Sequence, residues 1–92
     1  MIVSFRDRAT ELLWSGAFVK RFGNIEKQAL RKLDMLHGAR SLEDLRVPPG
    51  NRLEALTGDR RGQYAIRIND QWRVCFEWTK EGPTNVEIVD YH

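Results

Sequence analysis

The chain has 92 residues, 41% of them apolar and 30% charged, and a net charge of +2. That composition excludes a disordered chain, and the length suits one domain, 1–92, with a small core. No apolar run could span a bilayer, "MIVSFRDRATELL" is too charged for a signal-peptide core, and the single Cys75 has no partner for a disulfide or a metal site, so the expected location is cytoplasmic with no membrane contact.

In chain order, "MIVSF" reads as an edge strand and "RATELLWSG" as a short helix ended by Gly16. "NIEKQALRKLDMLHG" is the clearest helix. Asn24 suits its N-cap, and Glu26 places a negative charge at the positive end of the helix dipole. Ile25, Ala29, Leu33 and Leu36 form an apolar stripe that Leu30 widens, and Gly38 suits a left-handed helix end. In "SLEDLRVPPG", Ser41 and Asp44 have capping-box spacing, while Pro48 and Pro49 keep the element brief.

After Gly50 the character changes. "RLEAL" predicts a short strand and "TGDRRG" a turn. "QYAIRIN" and "WRVCFEW" alternate with period two around a hairpin, and "KEGP" turns into a last strand, "TNVEIVDYH". Helices first and antiparallel strands after them predict an α+β fold, with the helices packed on one face of a twisted sheet. Trp72, Val74, Phe76 and Trp78 then face the helices, as do Tyr64, Ile66 and Ile68. Ala65, Arg67, Arg73, Cys75 and Glu77 fall on the uncovered face, with Arg67 and Arg73 neighbours across the hairpin. Two like charges side by side are unfavourable unless an anion or a carboxylate lies between them.

From Arg40 to Arg73 every basic residue is an arginine, and all the lysines lie outside that stretch. Arginine's planar fork matches phosphate oxygens. Two readings stand at this point: solvated charges balanced by Glu43, Asp44, Glu54 and Asp59, or an anion site. No metal-binding motif, phosphate loop or dinucleotide fingerprint is present, so no cofactor is expected. His37, near a helix end, reads as a surface residue, and Trp14, Trp72 and Trp78 as core.

The pattern "L..L.GDR.G.Y.I.I...WR..F.W" from Leu53 to Trp78, the terminal "DYH" and the opening "MIVSFRDRATELL" together resemble the HigB-type toxins of bacterial toxin–antitoxin pairs, within the RelE/ParE superfamily. The resemblance spans essentially the whole chain. It implies a ribosome-dependent mRNA endonuclease with a microbial-ribonuclease-like fold, working without a metal and neutralised by a cognate antitoxin, a HigA-type helix-turn-helix protein. DNA would be reached only through the antitoxin complex. The alternative is a ParE-like toxin that poisons a protein such as DNA gyrase.

Matched residue by residue, the resemblance makes Arg73 the phosphate clamp, with Arg60 of the "GDR" turn and Arg61 beside it as further phosphate contacts, and Arg67 on the same face. Asp90, Tyr91 and His92 match the terminal motif. His92 is the best proton-transfer group, because an imidazole titrates near neutrality. Tyr91 would stack on a base or orient the ribose, and Asp90 would orient the histidine or hold the strand. The chain departs from the family where Glu54 stands in place of a histidine and Thr57 in place of a lysine. Glu54 can serve as a base only if no arginine holds it in an ion pair, and the departures predict slow cleavage.

Overall fold

A computed structural model describes residues 1–91 of the chain; His92 lies outside the described residues. Helices α1 (Arg8–Trp14) and α2 (Glu26–Gly38) precede strands β1 (Glu54–Ala55), β2 (Tyr64–Arg67), β3 (Trp72–Thr79) and β4 (Gly82–Asp90). The strands form one antiparallel sheet in the order β1-β2-β3-β4. Both helices pack against β4, and α2 also reaches β3. This is the expected α+β arrangement.

The core forms where the helical stripe meets the period-two face of the sheet. Ile25, Ala29, Leu33 and Leu36 are buried against Ile66, Val74, Phe76 and Ile88. Trp72 is buried too, edge-on to Phe22 with ring centroids 5.6 Å apart, while Trp14 and Trp78 are half-buried at the margin.

The ends of α2 differ from expectation. Ile25, not Asn24, occupies the N-cap, because a 3-10 turn over Lys20–Phe22 leads directly into the helix and the Ile25 amide bonds the Phe22 carbonyl at 3.0 Å. Gly38 stays within the helix, and the chain leaves through Ala39 in an extended conformation (φ −69°, ψ 133°) that buries Ala39 rather than turning left-handed. The Ser41–Asp44 spacing does give a capped element, a 3-10 turn over Leu42–Arg46. Asp44 Oδ2 accepts from the amides of Arg40 (2.9 Å) and Ser41 (3.2 Å), and these bonds hold its carboxyl below the usual range.

"MIVSF" forms no full strand. It lies extended along the outer edge of β4 with one parallel bridge, Phe5 to Val86. The Val3 amide bonds the Pro83 carbonyl (2.8 Å), the Arg6 amide bonds the Val86 carbonyl (2.9 Å), and the Thr10 hydroxyl accepts from the Ile88 amide (3.0 Å). An edge covered in this way cannot recruit another strand. Gly82, at φ 126°, allows the approach, since a Cβ there would collide with the Met1 carbonyl. His37 takes part as well. It is half-buried rather than superficial, its Nδ1 accepts from the Ile2 amide at 3.1 Å, and its ring lies 5.1 Å from that of Trp14.

One irregularity sets the faces of β4. Glu77 pairs with Thr84, yet Cys75 pairs with Glu87, so β4 carries one extra residue between the two pairs. Asn85, in the left-handed region at φ 51°, accommodates this bulge. Val86 and Ile88 then face the core and Glu87 the opposite side.

Candidate nucleic-acid interface

The strand register assembles a continuous row across the open face of the sheet: Glu54 opposite Ala65, Ala65 opposite Cys75, and Cys75 opposite Glu87. The next row runs Arg67, Arg73, Val89. Ala65 and Cys75 are small, and both are fully buried although no helix covers this face. Their cover comes from long polar side chains lying over them, so this face is not the bare one the alternation suggested.

Tyr91 is the first of these covers. Burial, then the adjacent Cys75 thiol, push its hydroxyl pKa up, so it stays protonated at neutral pH. Burial likewise raises the Cys75 thiol and keeps it neutral. The Arg73 guanidinium lies over the Tyr91 ring, 5.3 Å from its centroid, a cation–π contact. Arg73 Nη1 also donates to the carbonyls of Asn69 and, at 3.1 Å, Trp72. The hairpin loop is shaped for this, since Asn69 Oδ1 accepts from the amides of Gln71 and Trp72, both at 2.8 Å.

Arg67 and Arg73 are directly paired, as expected, and a carboxylate does relieve them: Arg67 Nη2 is salt-bridged to Asp70 in the loop between them. Arg67 also bears on Lys32 of α2. Burial first, then the charges of Arg31 and Arg67, lower the pKa of that lysine, whose Nζ donates to Asn51 Oδ1 at 2.6 Å.

Arg60 reaches the same face from the 3-10 turn Gly58–Arg60. Its Nη1 donates to Gln63 Oε1 (3.0 Å) and to Glu87 Oε1 (3.2 Å). Burial alone would lower its pKa, but the Glu87 hydrogen bond and charge raise it overall. Arg61, the next residue, is exposed. Glu54 is exposed, makes no ion pair among the described residues, and acts on Tyr91 through its charge.

The structure thus brings together Arg60, Arg73 and Tyr91, with Glu54 and Arg67 at the margins. Asp90 lies at the end of β4. It pairs with Trp72, so its side chain leaves from the helix-covered face, and its Oδ2 accepts from Gln71 Nε2 at 3.1 Å. His92 lies outside the described residues. Two members of the cluster escaped the sequence reading. Glu87 projects beside Arg60, and Arg6 Nε lies 3.7 Å from Glu87 Oε1. The alternation of Glu87, Val89 and Tyr91 along one strand was the available signal for Glu87. Arg6 had none, because its position depends on the N-terminal segment docking against β4.

Among the described residues no group of His, Cys, Asp and Glu could hold a metal ion, and no helix is long and apolar enough to cross a membrane.

Two helices on one face of a four-stranded antiparallel sheet, with arginines around the other, are a RelE-like α+β arrangement. The chain belongs to the HigB-like toxins, a family described as the RelE-like toxin of the type II toxin–antitoxin system HigB, whose model matches residues 5–92. It is 39% identical over 80 residues to Toxin HigB-1 of Vibrio cholerae, covering 85% of this chain and 84% of that protein. It is 36% identical over 65 residues to an uncharacterized protein of Haemophilus influenzae, covering 71% of this chain and 64% of that one. HigB toxins inhibit translation by cutting messenger RNA, and the gyrase-poisoning alternative is not favoured. A type II toxin has a cognate antitoxin as its partner.

Proposed function

We propose that the chain cuts messenger RNA on the ribosome without a metal ion, on the open face of the sheet around Arg73, Arg60 and Tyr91. The observation that carries this reading is the convergence of two guanidiniums from separate parts of the sequence beside Tyr91, above a floor of small residues. RNA supplies its own nucleophile. The ribose 2′-oxygen loses its proton and bonds to phosphorus, the P–O5′ bond breaks, and the leaving oxygen takes up a proton. A 2′,3′-cyclic phosphate results. The protein has to move two protons and stabilise the extra negative charge at phosphorus.

Arg73 and Arg60 are the charge stabilisers. Arg61 and Arg67 hold flanking phosphates, which position the strand without reading its sequence. His92 is one proton-transfer group and Glu54 the other, the latter supported by its exposure and its lack of an ion-pair partner among the described residues. Tyr91 keeps its proton and holds Arg73, and so orients the ribose rather than accepting from it. Asp90 anchors the strand end through Gln71. The antitoxin is a HigA-type helix-turn-helix protein through which alone the complex meets DNA, and the setting is cytoplasmic.

Primer extension on a translated message, with and without the protein, tests this. Discrete cuts inside the reading frame that depend on ribosomes are the expected result. An intact message in the presence of folded protein would overturn it.

A further inference from the structure

We infer that Glu87 is a positioning residue for the cleavage reaction, its carboxylate holding the Arg60 guanidinium over the open face beside Tyr91. The inference rests on the nuclease reading above and adds a residue to it. Arg60 sits on a turn whose neighbours Gly58, Asp59, Arg61 and Gly62 are all exposed. Its hydrogen bond to Gln63 joins it only to its own turn. The bond to Glu87 Oε1, at 3.2 Å, is the one that ties it to the far strand of the sheet, 27 residues away.

Glu87 is well placed for that task. It stands opposite Cys75 in the paired part of β4, and Arg6 Nε approaches the same carboxylate oxygen at 3.7 Å. The bulge is what puts it there. Were the pairing of Glu77 with Thr84 continued without an extra residue, Cys75 would face Val86. A one-residue slip reverses the faces of a strand, so Val86 would turn to the open side and Glu87 into the core. Asn85, at φ 51°, thus delivers a carboxylate to the arginine face.

The chemistry explains why a carboxylate belongs in a phosphate site. A guanidinium has five N–H donors, so Arg60 can be held by one oxygen and still present others to a phosphate. Arg6 and Arg60 share a single negative charge, which leaves the pair net positive. An arginine already fixed need not be ordered when charge develops at phosphorus. A plain surface ion pair would contribute little and would not couple to cleavage.

The test is a double-mutant cycle in single-turnover cleavage of a ribosome-bound message. Glu87→Ala is expected to slow cleavage about ten- to hundredfold, the scale of a misplaced catalytic group, with ribosome affinity changed less than about twofold. Glu87→Gln keeps an acceptor oxygen and is expected to recover most of the loss. In an Arg60→Ala background, Glu87→Ala is expected to add less than about a twofold loss, because its effect runs through Arg60. Equal losses with and without Arg60, or no loss at all, would overturn the inference while leaving the nuclease reading intact. No cutting by the unmodified protein would overturn both. Should Glu87→Ala not fold, Glu87→Lys takes its place in the cycle as the variant expected to lose cleavage, with Glu87→Gln still the rescue.

Discussion

The two faces of the sheet are built from the same strands by opposite means. The helix-covered face is apolar and filled by Phe76, Val74, Ile66 and Ile88 under α2. The open face has a floor as fully buried, at Ala65 and Cys75, but its cover is made of Tyr91, Arg60 and Glu87 joined by hydrogen bonds and charge. The first face holds the fold together by excluding water. The second carries cations at its surface and still excludes water from Ala65 and Cys75 beneath them.

The largest effect separating the faces is expected at Phe76. Truncation to alanine leaves a cavity between sheet and helices and should remove about 3–5 kcal/mol of stability, measured by urea unfolding. Toxicity would be lost with the fold. A loss below about 1 kcal/mol would show that the apolar face does not carry the stability assigned to it.

Next comes His92→Gln, which keeps hydrogen bonding but cannot exchange a proton near neutral pH. Single-turnover cleavage should fall about two to four orders of magnitude, the usual share of a proton-transfer group, with an unchanged melting curve as the control. Cleavage within threefold of the unmodified protein would move proton transfer to Glu54 and leave the terminal histidine a bystander.

The smallest effect concerns alkaline pH. Burial raises Cys75 above its ordinary 9.0 and Tyr91 above its ordinary 10.0, so the folded state holds these protons more tightly than the unfolded chain. The stability tied to them is fully present below pH 9.0 and is lost as pH rises through the folded values. Urea midpoints followed from neutral to alkaline pH should therefore fall above pH 9.0. In Cys75→Ala the fall should start nearer the tyrosine's ordinary 10.0. An identical onset in both proteins would mean that the thiol is not part of the open face's floor.

Local patterns made much of this legible in the sequence. The α2 stripe, the Ser41–Asp44 cap, the hairpins and the facing of Arg67 and Arg73 all follow from periodicity and turn chemistry between near neighbours. The resemblance carried by the "GDR", "WR" and "DYH" motifs implied one site for Arg60, Arg73 and Tyr91; Arg73 does lie over the Tyr91 ring, and Arg60 reaches the same face through Glu87. What stayed hidden depends on distant contacts. Arg6 meets Glu87 only because the N-terminal segment lies along β4. Asn85 bulges where the strand has to bring Val86 and Ile88 into the core together, and no local motif announces it.

The proposed function assigns cleavage to the arginine face and not to the helical one. Its most direct test compares two charge reversals, Arg73→Glu on the open face and Lys27→Glu on α2, in single-turnover cleavage of a translated message, with melting curves confirming both folds. A loss of about a hundredfold or more is expected for Arg73→Glu, the scale of removing a transition-state charge stabiliser, and a rate within about threefold of the unmodified protein for Lys27→Glu. Equal losses in the two variants, or an Arg73→Glu protein that cuts at nearly the unmodified rate, would contradict it.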